Sequence, residues 1–266
     1  MLQLSGLARS TFYYYLKHQN TDKYETEKQE ITEIFAKHKG RYGYRRILAI
    51  MRTKGYTLNH KTVQKLMRNL GLKGKTRKNE KYHSYKGEVG KVADNYLNRE
   101  FKADKPFEKL TTDVTQFKVG DEKVYLSPVM DLYNREIVAY SISTSPDLWQ
   151  IREMLAGLFD KLPTDATPLF HSDQGWQYQH AEYQQLLAEH NIKQSMSRKG
   201  NCMDNGAMEN FFGRLKVEMF YGEKFESVNA FIDKLNEYIY YYNNERISLN
   251  LKGMSPVQYR THSQII

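Results

Sequence analysis

Apolar residues recur at helical spacing in the first part of this chain and at strand spacing after residue 109. Tyr44, Ile47, Leu48 and Met51 stand at i, i+3, i+4 and i+7, as do Val63, Leu66, Met67 and Leu70. Each set makes one apolar stripe on a short helix. Between them Gly55 is placed to end the first helix and Asn59 to cap the second, giving helix, short turn, helix. Upstream, Ile31, Ile34 and Phe35 within the charged stretch Thr21 to Lys39 predict one more amphipathic helix. Leu4 to Lys17 reads either as a fragment of a similar unit or as a frayed amphipathic start. Beyond Lys109, Leu110 to Val119, Lys123 to Tyr133 and Glu136 to Ser143 read as three strands, the first two joined by a Gly120-Asp121-Glu122 hairpin signal. A helix near Asp147 to Lys161, a strand at Pro168 to His171, a helix near Ala181 to Glu189 and a strand at Ile192 to Ser197 follow. This βββαβαβ order predicts a mixed sheet covered by helices. Two helices, roughly Met203 to Met219 and Val228 to Asn243, close the chain.

Charge divides the chain at the same place. Residues 1–110 hold 25 Lys and Arg against 11 Asp and Glu, a net of +14, whereas residues 111–266 hold 15 against 20, a net of −5. Arg41 to Lys86 alone carries 14 basic residues and one acid, Glu80. Such density attracts a polyanion, and nucleic acid is the expected partner, the alternative being a solvated basic face. The second helix of the pair would present Lys61, Thr62, Gln64, Lys65 and Arg68 outward, where a helix-turn-helix reads the major groove. Gly71 to Lys109 reads as a basic linker. A single cysteine, Cys202, excludes an internal disulfide and a zinc site of paired cysteines. With no apolar run long enough to span a bilayer and no secretion signal, a soluble, cytoplasmic protein without a membrane partner is expected.

Three acids stand where the expected sheet could gather them. Asp113 falls in the first strand, Asp173 ends the fourth, and Glu209 lies on the helix after the last. Carboxylates converging at a sheet edge bind two divalent cations for phosphoryl transfer, and hard oxygen ligands select Mg²⁺ or Mn²⁺. Taken singly, each has an ordinary reading: a strand-end carboxylate, a turn former before Gln174-Gly175, a helix surface residue. Lys216, seven residues after Glu209 and on its helix face, is placed either to hold a phosphate near the metals or to sit in solvent.

At these residues the chain resembles a known family. Leu110 to Thr115, His171 to Gly175, Met196 to Asn205 and Ala207 to Lys216 look like the insertion-sequence transposases with a core of the retroviral-integrase type. More narrowly they resemble the OrfB product of the IS-three family. Tyr42-Gly43-Tyr44-Arg45-Arg46-Ile47 through Gly71-Leu72 resembles that family's helix-turn-helix, and Tyr242-Asn243 through Ser255-Pro256 and Tyr259 its tail. The resemblance implies an α/β fold, a ribonuclease-H-like mixed β-sheet core flanked by helices and preceded by a small all-α helix-turn-helix domain. It implies that Asp113, Asp173 and Glu209 form a DDE triad holding two Mg²⁺ or Mn²⁺ ions, with Lys216 the basic residue that follows. It implies strand cleavage at transposon ends and strand transfer into target double-stranded DNA, a homo-oligomer on DNA, association with the nucleoid, and fusion with or binding to an upstream OrfA protein. Where the family's tail often carries a histidine two residues after the arginine, this chain has Ser248 after Arg246.

The expected organisation is a partial helix-turn-helix remnant over 1–20, a helix-turn-helix domain over 21–75, a basic linker over 76–104, a catalytic core over 105–223 and a C-terminal helix and tail over 224–266. Arg45, Arg46, Lys61, Lys65 and Arg68 in the first half, and Arg198 and Lys199 in a glycine-containing loop near Glu209, are candidate DNA contacts, with solvated charge the other reading. Asp131 competes as a metal ligand but sits where an Asp can cap a turn, and Asp204 fits a helix N-cap. His171 reads as a hydrogen-bonded strand-end residue or a phosphate-orienting one. Trp176 and Tyr178 read as helix-start packing or as stacking surfaces for an unpaired base.

Overall fold

The computed structural model of the chain describes residues 8–17, 22–76, 92–198 and 202–263. The chain divides into two compact units, Met1–Lys75 and Thr76–Ile266.

The first unit is helical. Helix α1 spans Arg9–Lys17, α2 Glu25–Lys37, α3 Tyr44–Thr53 and α4 His60–Asn69. The two expected stripes are buried on α3 (Ile47, Leu48, Met51) and α4 (Val63, Leu66, Met67). Asn59 caps α4 by accepting the Lys61 N–H at 2.9 Å, and Gly55 follows α3 at φ +91°, a left-handed position open to glycine. After α4 the chain returns past the α2–α3 loop, where a Cβ on Gly74 would stand 2.8 Å from the Tyr42 and Gly43 backbone. Only glycine fits that approach.

The second unit is built on a six-stranded sheet: β1 Lys109–Thr112, β2 Thr115–Val119, β3 Glu122–Asp131, β4 Ile137–Ser143, β5 Leu169–Ser172 and β6 Lys193–Met196. β4 runs antiparallel along one edge of β3, and β2 and β1 follow one another, also antiparallel, along the other. β5 then pairs parallel with β1, and β6 parallel with β5. The sheet is therefore mixed, as expected. One difference matters for the site. Leu110 to Val119 is not one strand: Asp113 and Val114 leave the ladder between β1 and β2. The register is the same on both sides of the gap, Thr112 opposite Val129 and Thr115 opposite Leu126, which sets Asp113 across from Pro128. Proline has no N–H to give a neighbouring strand, so the ladder is weakest where Asp113 must turn free of it.

Helices cover both faces. On one, α5 Leu148–Phe159, the short α6 Trp176–Gln179 and α7 Ala181–Glu189 bury Met154, Leu158, Tyr178 and Leu187 against Leu110, Val138 and Phe170. On the other, α8 Gly206–Leu215 and α9 Val228–Asn244 bury Phe211, Leu215, Phe231 and Tyr238 against Phe117, Val124 and Leu126. The helix expected over Met203 to Met219 has three parts: a 3-10 turn at Cys202–Asn205, α8, and a π-helical turn at Lys216–Phe220. A last helix, α10 Pro256–Ser263, is tied in where Asn134 donates to the Pro256 carbonyl at 3.0 Å.

The expected linker over 76–104 needs correction. Residues 77–91 lie outside the described residues, but 92–104 pack on the sheet: Leu97 and Ala103 are buried, and Ala93 donates to Met196 Sδ at 3.4 Å. The anchor is Ser195, whose Oγ accepts the N–H of Tyr96 at 3.0 Å and of Leu97 at 3.2 Å. Its one proton then goes to His171 Nδ1, 2.9 Å away, so His171 carries its own proton on Nε2. Ser195→Ala would orphan two N–H groups and an imidazole nitrogen. It is expected to destabilise this unit by about 2–3 kcal/mol, read from urea unfolding; an unchanged midpoint would mean that the segment does not dock through Ser195.

Candidate active site

Residues 60 apart are partners along the parallel β1–β5 ladder: Lys109 with Leu169, Leu110 with Phe170, Thr111 with His171. Carried two steps further, that register sets Asp113 beside Asp173 as both strands end. Adjacent strands lie about 4.8 Å apart, so the two carboxylates are neighbours at the carboxyl ends of parallel strands, a usual place for a ligand in an α/β sheet. Local hydrogen bonds turn each out of its strand. Asp113 Oδ1 accepts the Val114 N–H at 2.8 Å and Asp173 Oδ1 the Gly175 N–H at 2.9 Å. The second contact is the Asx turn that the glycine two residues on foretold. Gln174 fastens the same turn to the Ser197 carbonyl at 3.0 Å, and Gln179 fastens it to the Gln174 carbonyl at 2.6 Å.

Burial and neighbouring charge act together at this edge. Desolvation, then the charge of Asp173, pushes the Asp113 carboxyl well above its ordinary range; Glu209 adds to the rise, while the Val114 N–H and Lys216 oppose it. Burial raises Asp173 too, against the Gly175 N–H. Tyr178 is fully buried beneath them, its hydroxyl 3.5 Å from Thr112 Oγ1, and burial followed by the charges of Asp113 and Asp173 raises its pKa. Trp176, beside it in sequence, stands 51% exposed.

Glu209 is brought to this edge by Asn205, which the sequence reading passed over. Asn205 Oδ1 accepts from Thr111 Oγ1 at 2.6 Å and its Nδ2 donates to the Thr112 carbonyl at 3.0 Å. The start of α8 is thereby pinned to the residues just before Asp113, and Glu209 follows within the first turn, about 6 Å along the axis at 1.5 Å per residue. Asp204, expected as an N-cap, has another role. Fully buried, it receives the Arg198 N–H, Nε and Nη2 at 3.0 Å each, Arg99 Nε at 2.7 Å and Asn95 Nδ2 at 3.0 Å. Those bonds, with Arg198 the largest cause, hold its carboxyl far below the usual range. No feature of the linear pattern near Asp204 marks Arg99 or Asn95 as partners.

Lys216 begins the π-helical turn with Nζ 5.5 Å from the centre of the Phe117 ring. Arg198, half exposed, is committed to Asp204, and Lys199 lies outside the described residues. Asp131 is buried at the far end of the sheet, opposite Leu110, accepting the Phe107 and Tyr133 N–H groups, and burial raises its pKa to about 6. It does not meet the other acids. His171 is buried and neutral, its pKa lowered to about 4 by burial against the charge and backbone of Asp204. In the first unit Lys61, Lys65 and Arg68 are exposed along α4, Arg45 is exposed over Tyr44, and Arg46 lies half-buried over the Tyr42 ring.

Three hard carboxylates in a half-buried, electronegative edge fit a divalent cation in donor type and charge, since bound positive charge would relieve their repulsion. Among the described residues no three His, Cys, Asp or Glu side chains are close enough to hold one ion together. Asp113 and Asp173 are thus paired, with Glu209 in electrostatic range and not closed on the same point.

Both units resemble known proteins. Residues 103–202 match a family model described as integrase core domain, residues 209–263 a second of the same description, and residues 22–80 an HTH-like domain. InsK of insertion sequence element IS150 from Escherichia coli (strain K12) is 50% identical over 264 residues, 99% of this chain and 93% of the relative. Transposase InsF of insertion sequence IS3A, also from Escherichia coli (strain K12), is 33% identical over 230 residues, 86% of this chain and 80% of the relative. Among solved structures, the HTLV-2 integrase catalytic core domain in complex with magnesium, in its trimeric form, aligns with TM-score 0.42 and 17% identity over 59% of this chain and 98% of that one.

The acid pair has a consequence for stability. Asp113 and Asp173 carry folded-state pKa values above their unfolded ones, so between those values the folded chain holds more protons and stability falls as pH rises. Asp113→Asn removes that penalty. It is expected to raise the melting temperature by roughly 2–4 °C at neutral pH, the gain vanishing below about pH 4 where both states are protonated. Melting curves across pH test this, and a destabilised variant at neutral pH would contradict it.

Proposed function

The chain belongs to the insertion-sequence transposases of the IS-three family, polynucleotidyl transferases with an integrase catalytic core, and on that footing we propose that Asp113, Asp173 and Glu209 are its catalytic carboxylates. The observation that carries this reading is the parallel register that sets Asp113 beside Asp173, where burial raises both and the charge of Asp173 raises Asp113 further. Bound Mg²⁺ or Mn²⁺, two ions for this donor set, would supply an activated oxygen nucleophile and neutralise the leaving oxygen. Asp113 and Asp173 would be the paired ligands and Glu209 the third.

The chain's own residues have defined tasks in this proposal. The two aspartates, fixed by the Val114 and Gly175 N–H groups, hold the scissile phosphate's surroundings in one geometry. Glu209 completes the set from a helix pinned by Asn205. Lys216, close enough to lower the Asp113 pKa, holds a DNA phosphate beside the acids. Water cuts one strand at a transposon end, and the freed 3′ hydroxyl attacks a second phosphodiester in strand transfer. In the first unit, Lys61, Lys65 and Arg68 on the exposed side of α4 meet the duplex at the major groove, with Arg45 on the backbone. Assembly as a homo-oligomer on paired ends, and action with an upstream OrfA protein, belong to the same proposal.

Glu209→Gln is expected to bind a labelled transposon end as the parent does while cleavage and joining fall by more than about 100-fold, because loss of outer partners of a metal site alone costs 10–100-fold. Gel analysis of the products in Mg²⁺ or Mn²⁺ reads both. Activity that survives the substitution, or that persists in chelator, refutes the carboxylate mechanism.

A further inference from the structure

A buried ion pair lies beyond the C-terminal end of α8, the helix that carries Glu209. Arg246, 2% exposed just past the end of α9, grips Glu218, 5% exposed, through Nε to Oε2 at 2.8 Å and Nη2 to Oε1 at 2.6 Å. The Tyr238 hydroxyl adds a third bond to Oε2 at 3.0 Å, and the Tyr242 ring lies 5.8 Å from the guanidinium. Glu218 is the middle residue of the π-helical turn Lys216–Phe220, which continues α8 and is closed by the Tyr221 N–H on the Lys216 carbonyl at 2.7 Å.

A buried ion pair is a poor way to gain stability, because apolar side chains of similar volume fill such a space as well or better. What the pair adds is direction. The planar fork accepts a carboxylate in one orientation, so it sets the rotation of the turn that carries Glu218. Lys216 lies two residues earlier, close to half a turn around the helical axis, and is thereby turned away from the lock and toward Phe117 and Asp113. π-Helical turns recur where a helix must re-aim a functional side chain.

We propose that Arg246, with Tyr238, is a positioning residue: it holds Glu218 so that the π-helical turn aims Lys216 at a DNA phosphate beside the acid pair. The proposal rests on the reading of Lys216 as a phosphate contact.

The test compares salt dependence of binding to a labelled duplex ending in the inverted repeat that flanks the chain's own reading frame. Loss of one phosphate contact lowers the slope of log K against log salt by about 0.9. The full chain carrying Glu218→Met, Arg246→Met and Tyr238→Phe should stay folded by melting curve and lose that one increment. Lys216→Ala should lose the same increment, and adding it to the triple variant should change nothing further. If the triple variant loses its folded signal, Arg246→Lys, which keeps charge without the fork, is expected to show the same single increment. Slopes that add, or lock variants with the parent slope while Lys216→Ala lowers it, overturn the positioning role and leave the Lys216 reading intact. A parent-like slope in Lys216→Ala overturns both.

Discussion

Two like charges held side by side in a half-buried sheet edge are the constraint around which the second unit is arranged. The parallel pairing of β1 with β5 brings Asp113 to Asp173, each directly after a strand paired on both sides. Their repulsion and desolvation oppose folding, so the surroundings must fix them from several directions. The ladder breaks at Asp113 opposite Pro128, an Asx turn holds Asp173, and buried Tyr178 and Thr112 form the floor. The two large apolar clusters on the sheet faces supply the offsetting stability.

Helix α8 is the beam on which the third acid rides, and it is held at both ends by polar contacts buried within an otherwise apolar layer. At its start Asn205 clasps β1, and Asp204 gathers Arg198, Arg99 and Asn95. At its finish the π-helical turn is locked to Arg246. Hydrophobic packing of Phe211 and Leu215 fixes the depth of the helix but tolerates sliding and rotation, whereas hydrogen bonds of this geometry do not. The same logic explains why Ser195 and His171, both buried, serve to dock residues 95–97 on the sheet.

Much of this was legible beforehand because the relevant forces are local. The stripes of α3 and α4, the Asn59 cap and the turn at Asp173 before Gly175 follow from side-chain spacing and backbone preference within a few residues. Where the reading went astray, a distant partner decided the outcome. Asp204 looked like an N-cap until Arg99 and Arg198 claimed it. Leu110 to Val119 looked like one strand because Pro128 belongs to the next hairpin arm. Residues 92–104 looked like linker because the stretch from Gly71 to Lys109 is basic and weakly periodic, whereas the burial of Leu97 and Ala103 depends on strands distant in sequence.

What the sequence by itself determined is therefore the inventory: a basic helical first unit, a mixed αβ second unit, and acids at a strand end and on a helix. Periodicity, capping and charge density act within one or two turns of chain, and they survive translation into a string. Only the tertiary structure decided which acids meet. Asp113 and Asp173 are joined by a register across 60 residues, Asp131 is sent to the opposite end of the sheet by the antiparallel sense of β3, and Glu218 finds Arg246 across 28 residues. Strand pairing and buried ion pairs depend on which surfaces come together, and a one-residue slip in register would exchange the faces of every side chain involved.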